Sequence, residues 1–370
     1  MALLACAIVA SAGTSAGAQV IDWASPVDGN WNVAGNWVGG NVPNAVGEDA
    51  VLGMSGAYMV TISNNFTHGS LSIFNPDATL GLVSIYHRLN GDLFNNGTII
   101  INVGGTVFNT HIGFEADAAI SGSGEIVLNG NGSTEDAQVI VTSPFTLTHM
   151  NGHTIRGAGR LNGDIVNQGV LVGDNVIGGL EIVGTLTQTA GGTAGADGDG
   201  TFVLGSGSVV SGGAFVTTSG GAVVKGNGTS TIGGLTNSGD LQIPSGSGFL
   251  NLNANVVNNG TITVNSDSSV FNAHIQFVNN ATLNGTGDVV MISVGDLADA
   301  QILTSAGITG TIGINQTVSG SGQIIGDPAG GLIFNRGTIN GNDAAVGLGI
   351  GWGRVSLRQR DPVASDWIGA

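Results

Sequence analysis

Charge is what this chain has least of. Eight basic and 25 acidic residues make up 9% of its 370 positions, against roughly 25% in an average soluble protein. Lys225 is the single lysine, and only five residues are Glu. Helix surfaces are built from such residues, and each of the 66 glycines would cost about 1 kcal/mol inside a helix, so an ordinary helical protein is excluded. Disorder is excluded as well, because 41% of the chain is hydrophobic and Gly plus Pro stays below the ~25–30% typical of low-complexity chains. The net charge of −17 argues against nucleic acid as a partner. Phosphates are bound by clustered Lys and Arg, and residues 19–345 hold only Arg88, Arg156, Arg160, Lys225 and Arg336. After the first residues, no stretch reaches the ~18 uninterrupted apolar positions of a transmembrane helix.

Cysteine is nearly absent too. Cys6 lies in the apolar opening run Met1–Ala10, which small residues follow up to Ala16-Gly17-Ala18, the pattern of a secretory signal peptide over residues 1–18. Leu3-Leu4-Ala5-Cys6 also reads as a lipoprotein box, but the apolar run continues past it. Cleavage after Ala18 leaves no thiol, which removes disulfides, thiol catalysis and cysteine metal sites together. The sequence therefore predicts an exported protein.

What is there instead is repetition. Asn95-Asn-Gly-Thr-Ile99 returns as Asn258-Asn-Gly-Thr-Ile262, Val107-Phe-Asn-Thr-His-Ile112 as Val270-Phe-Asn-Ala-His-Ile275, and Asp136-Ala-Gln-Val139 as Asp299-Ala-Gln-Ile302, all offset by 163 residues. Two duplicated arms follow, about 93–175 and 256–343. Inside them lies a shorter period of about 21 residues, seen in Asn237-Ser-Gly, Asn258-Asn-Gly and Asn279-Asn-Ala, each followed by alternating apolar residues. A second unit, Gly-x-Gly before an apolar residue, starts at Gly122, Gly157, Gly285 and Gly320. Short β-branched strands punctuated by Asn-Gly and Gly-Ser turns indicate an all-β fold. The two nested periods favour a right-handed parallel β-helix over residues 56–345, because one coil cannot bury its apolar face alone and must stack on its neighbours. Gly and Asn suit the corners, where φ becomes positive, and stacked Asn side chains are expected to form amide ladders.

Residues 19–55 differ. Gly29-Asn-Trp31, Asn36-Trp37, Gly40, Pro43 and Glu48-Asp49-Ala50 carry three of the five tryptophans with Trp23. Bulky Trp beside a rigid Pro turn suits an N-terminal cap that covers the apolar core and strand edges of the first coil. A sugar stacked on an exposed Trp is the alternative use. This G-x-W…N-W-x-x-G-x-x-P…D-x-A pattern resembles the start of bacterial secreted proteins of the autotransporter-associated β-repeat and PEP-CTERM type, common among planctomycetes. The resemblance implies a β-solenoid passenger at or beyond the surface of a Gram-negative cell, with no catalytic residues. The chain departs from that family at 346–370, where Arg354, Arg358, Arg360, Trp352 and Trp367 stand outside the Asn/Gly pattern. Members of that family end in a sorting helix, dockerin or membrane barrel, which 346–370 does not resemble, and a frameshifted or truncated reading frame near 345 is the expectation.

Candidate chemistry is sparse. His149 and His153 lie four apart, but that spacing joins metal ligands on a helix and is not expected to do so among strands and turns. His68 and His87 stand alone in sequence, and His111 and His274 are duplicate positions, read as one structural feature inherited twice. Gly191–Gly200, with Asp197 and Asp199, is similar to a calcium-binding repeat, but without the tandem copies that share an ion, so a corner loop is expected. For a β-helix lyase, Arg156 and Arg160 are the only close basic pair. For a glycosidase, Glu135-Asp136 and Asp299 are the best carboxylates, read as repeated polar corners. Gly320-Ser-Gly322 has no following helix to hold a phosphate. The sequence thus predicts no catalytic, cofactor or metal site. The reading it favours is a secreted or cell-surface structural or adhesion-type solenoid. The competing one is an extracellular polysaccharide-binding or polysaccharide-degrading β-helix, with polysaccharide or cell-surface components as partners in either case.

Overall fold

In the computed structural model, residues 18–189, 191–341, 347–350 and 354–357 are described. The expected signal peptide and most of the atypical tail lie outside them. Strand follows strand along the chain, every ladder between named strands is parallel, and the fold is a parallel β-helix. Three ladders run its length. The first begins with Gln19–Asp22, Glu48–Leu52, Leu71–Ile73 and Leu93–Asn95. Gly29–Asn30, Tyr58–Ile62, Ala78–Leu82 and Thr98–Ile101 open the second, and Phe66–His68, Tyr86–Leu89, Thr110–Phe114 and Ala137–Val141 the third. The long strand Thr154–Asn167 passes through all three in turn, pairing with Glu125–Asn129, then Ala137–Val141, then Thr146–His149.

The alternation read from the sequence is the in–out alternation of these strands. In Thr261–Val264, for example, Ile262 and Val264 are buried while Thr261 and Thr263 face outward, half-buried. Inward Ile, Leu, Val and Phe stack coil upon coil into one continuous core. No coil closes a core alone, so stability depends on the contact between neighbours.

The 21-residue period recurs along the chain, as from Ala50 to Leu71 and Phe66 to His87, but other coils are shorter or longer. It separates the stacked pair Asn237 and Asn258, but 18 residues separate His149 from Asn167 and 27 separate Asn102 from Asn129. Insertions go to the corners, where they leave the ladders intact. One consequence is that the duplicated arms are not superimposed by translation along the axis. Ile99, Ile126, Ile155, Leu171, Ala194, Phe215, Asn237 and Asn258 stand in register on the second ladder. The duplicate of Ile99, however, is Ile262, and it lies on the third ladder between Leu241 and Val289. The offset therefore spans seven coils and one further face, and each feature of the first arm recurs one face further round in the second.

The two sequence units interlock. Asn95 accepts a hydrogen bond on Oδ1 from the Gly97 amide and donates through Nδ2 to the Glu125 carbonyl of the next coil, 3.0 Å each. Above it, Gly124 donates its amide to the Asn95 carbonyl at 2.9 Å. Asn258 and Gly287 repeat the bonds between coils in the second arm, with Asn258 Oδ1 accepting from Asn237 Nδ2 at 2.8 Å and the Gly260 amide donating to the Asn237 carbonyl, the start of the expected amide ladder. At Gly122 and Gly285 the Gly-x-Gly unit is thus the surface on which one coil's backbone rests on the Asn-Asn-Gly corner below, while Gly157 and Gly320 rest in the same way on the carbonyls of Leu128 and Met291. A Cβ on Gly285, at φ +113°, would lie 2.1 Å from the Asn258 carbonyl oxygen. Replacing Gly285 by Ala should cost at least about 2 kcal/mol in denaturant unfolding, whereas Gly132, at φ +90° with open space around it, should cost only the ~1–2 kcal/mol of the left-handed backbone. Equal losses at the two positions would refute the stacking account.

The N-terminal segment closes the first coil. Trp23, Trp31 and Trp37 are 1%, 0% and 2% exposed. Trp37 packs edge-on against both others, at 5.0 Å to Trp23 and 4.6 Å to Trp31. Each indole N–H is used, by the carbonyls of Val27, Pro43 and Trp31. Glu48 ties the Pro turn down by accepting from the Asn44 and Ala45 amides and from Asn41 Nδ2, and Asp49 accepts from the Ser70 amide of the next coil. None of the three indoles offers a face to a sugar.

Candidate functional site

The histidines lie where the sequence does not lead one to expect. His149 and His153 are both fully buried, and their rings meet, with Nε2 of the first 3.0 Å from Nδ1 of the second. The i,i+4 expectation is corrected here. The turn at Met150–Gly152 folds the chain back, so both rings point into the core without a helix. Asn167 Oδ1 lies 2.8 Å from His149 Nδ1, and Asn95 Nδ2 lies 3.1 Å from His153 Nε2. Asn167 continues to Gln188 at 3.3 Å, so the pair is part of a polar ladder running along a corner. Burial pushes His149 down to about 4 and His153 to about 3, so both rings are neutral at physiological pH. The second arm puts Ile312 and Gln316 in their places, and Gln316 Nε2 donates to the Gly287 carbonyl. A position served by Gln in one copy and His in the other is a corner hydrogen-bonder. His68 and His87 form a second buried pair, Nε2 to Nε2 at 3.0 Å, beneath the Trp31 ring. Among the described residues no group of three or more His, Cys, Asp or Glu is arranged to hold a metal ion.

The candidate carboxylates are likewise engaged. Asp136 and Asp299 each close a capping box on a single 3-10 turn, Thr134–Asp136 and Leu297–Asp299. Asp299 accepts from the amides of Val294, Gly295 and Asp296 at 3.0–3.1 Å. Burial alone would raise its pKa, but those amides hold the carboxyl below its ordinary range. Glu135 and Glu181 both bind Arg160, at 2.6 and 2.8 Å, while Arg156 binds Glu125 at 2.8 Å and Asp174 at 3.1 Å. The close basic pair thus lies on two successive segments of Thr154–Asn167, each cation held between two carboxylates. In Gly191–Gly200, Asp197 accepts from the Thr218 hydroxyl of the next coil and from the Gly198 amide, a hydrogen-bonded corner.

Two features escape the sequence reading. Lys225 occupies an inward position in register with Leu204 and is 1% exposed. Its ammonium donates to the carbonyls of Gly226, Gly228 and Ser247, stapling one corner to the next. Burial pushes it down to about 8, and those oxygens favour the charged form, so it remains a cation at neutral pH. The other feature is a duplicated loop. Asn102 and Asn265, both at positive φ and fully buried, hold it with matching bonds. Nδ2 donates to Thr106 O or Ser269 O at 2.8 Å in both, and Oδ1 accepts from the same residue's amide. Each clamp presents a Val-Phe pair to solvent: Val107 and Phe108 are 68% and 65% exposed, Val270 and Phe271 64% and 66%. A Val-Phe pair in a loop otherwise made mostly of Gly, Ser, Thr, Asn and Asp is the signal that marks it.

Beside each loop two rings stack. Tyr86 lies 3.9 Å from His111 on the third face, and Phe249 lies 4.6 Å from His274 on the first. His111 and His274 are thus one feature inherited twice, displaced by a face. No protein-family model matches the chain, and no curated protein is significantly similar to it.

Proposed function

We propose that this chain is an exported structural or adhesion-type solenoid that acts at or beyond the surface of a Gram-negative cell, as a rigid spacer and display scaffold without catalysis. The observation that carries the reading is the use made of the chemistry-bearing side chains. The buried histidines, Lys225 and the two arginines of Thr154–Asn167 bond from corner to corner or coil to coil, and Asp136 and Asp299 close capping boxes within their own turns. A glycosidase needs one carboxyl free to give its proton to the leaving group. Glu135 and Glu181 share one guanidinium, and Thr134 donates to Glu181 at 2.5 Å, so neither is free for that step. The opening residues and the resemblance of the tryptophan segment supply the address. No helix among the described residues is long and apolar enough to cross a membrane.

Proteinase shaving of intact cells, with N-terminal sequencing of the released chain, tests the address. The expected result is an accessible protein that begins at Gln19, and a protein kept inside with Met1 in place would overturn it. Reducing-end release from a polysaccharide panel by the full chain tests the absence of catalysis, with no turnover expected.

A further inference from the structure

Exposed phenylalanine is costly to keep, and besides Phe74 this chain keeps it at two duplicated positions. Between the arms, the loop around the Val-Phe pair has changed at nearly every outward position, with Gly104, Gly105 and Thr106 answering to Asp267, Ser268 and Ser269. The Val-Phe-Asn core and the buried Asn clamp are unchanged. Packing does not account for the retention, since both phenylalanines are about two-thirds exposed. The loop is also tied to the segment that leads into the paired rings. The Gly246 amide, three residues before Phe249, donates to Asn272 O at 2.9 Å, and a Cβ on Gly246 would lie 3.9 Å from Phe271 Cβ. In the first arm, the Ser84 amide, two residues before Tyr86, donates to the hydroxyl of Thr110, two residues after Phe108. Both arms therefore tie a loop with an exposed ring to the segment that carries a second ring, packed on a half-buried imidazole. In both, the imidazole Nδ1 is out of solvent and has no hydrogen-bond partner.

The electrostatics of the two places narrow what fits. Near the first, Arg88 is neutralised by Glu115 at 2.8 Å. Around the second, the Asp267 carboxylate is taken up by the Ser245 amide and hydroxyl at 2.8 Å each, and the other outward neighbours are amides, with Gln276 bonded to Ser305 at 3.1 Å and Gln301 to Gln323 at 2.8 Å. Neither place offers an exposed unpaired cation, since Lys225, whose charge reaches His274, is buried with its ammonium held by three carbonyls, and the chain as a whole carries −17, which repels anions. Free aromatic faces and amide or imidazole groups without charge suit a ligand with apolar C–H faces edged by hydroxyls.

We infer that the two arms carry two equivalent binding sites for a neutral, linear polysaccharide, each built from the exposed phenylalanine (Phe108 or Phe271) and the adjoining ring–histidine stack. Because the second arm is turned by one face, the sites open in different directions. One chain can therefore hold two separate glycan strands, which is cross-linking chemistry. The inference rests on the surface-adhesion reading for its biological sense, but its test is made on the purified full chain and does not depend on where the protein resides.

The experiment is isothermal titration with neutral hexasaccharides (cellohexaose, xylohexaose, mannohexaose and laminarihexaose), with polygalacturonate as the acidic counter-probe. Binding of at least one neutral probe at two sites per chain is expected. Phe108→Ala and Phe271→Ala should each leave one site, and the double variant should bind at least tenfold more weakly with its circular dichroism and melting unchanged, since both residues are surface tips. Binding of none of the neutral probes, undiminished binding by the double variant, or equal binding of polygalacturonate would overturn the inference. A protein shown on the cell surface that binds no probe defeats the inference alone, and one that binds but stays inside defeats only the reading it rests on.

Discussion

Replacing Trp31 by alanine should lower the stability of the N-terminal coils by about 3–5 kcal/mol, the usual cost of deleting a large aromatic from a packed core. Three things are lost together. The Trp31 ring is wholly buried, it supports Trp37 from 4.6 Å, and its N–H satisfies the Pro43 carbonyl at 3.2 Å. The ring is also the lid of the His68–His87 pair, stacked on His68 at 5.3 Å, so water would reach two neutral imidazoles that have none now. In a stacked solenoid the loss stays local, because each coil contacts only its neighbours. Amide exchange should quicken across residues 19–89 and remain unchanged across 250–340, and a first, partial unfolding step should separate from the main transition. A uniform rise in exchange, or a loss below about 1 kcal/mol, would show that the tryptophan segment is not the cap.

The architecture was legible because it is local and repeated. Strand alternation, Asn-Gly corners and the Gly-x-Gly unit each recur often enough to give a period, and each keeps its meaning in three dimensions: Asn95 and Asn258 bridge two coils, and Gly124 and Gly287 lie on them. The bland readings of Asp136, Asp299, His111 and His274 rested on the same duplication. What could not be read depends on corner geometry. The meeting of His149 and His153 follows from a turn that folds back at Gly152, φ +93°, and spacing alone does not encode that. The burial of Lys225 requires three carbonyls from two coils to converge, although the sequence places it in an otherwise ordinary strand. The rotation of the second arm follows from unequal coil lengths, which a constant period conceals. The clamped Val-Phe loops were visible as repeated letters, but their exposure was not.

Acid should unfold this protein through its histidines before its carboxylates. Burial pushes His68 and His149 down to about 4, His153 to about 3 and His87 well below its ordinary value, while an unfolded chain titrates them near 6.5. Between those limits the unfolded state binds more protons, so stability rises with pH through that window and falls as pH drops from about 6.5 towards 4. A shift of that size corresponds to on the order of 3 kcal/mol per independent site, and within each pair the second proton is excluded by the first, so the four do not simply add. The bonds explain the steepness: each pair is held by one ring donating to the other at 3.0 Å, and protonating the acceptor turns that bond into a repulsion. Glu48 lowers the cost slightly for His68, whereas Asn95 and Asn167 meet the other pair. Carboxylates held low, such as Asp267 and Asp299, lose their contribution only below about pH 4. The second arm supplies the control. His149→Ile with His153→Gln installs the residues of the equivalent corner, Ile312 and Gln316, and, because His111 and His274 are lowered by burial too, should remove a part and not all of the decline in stability between pH 6.5 and 4 while leaving stability at pH 8 within about 1.5 kcal/mol of the parent's. An unchanged pH slope in that variant would place the acid sensitivity elsewhere.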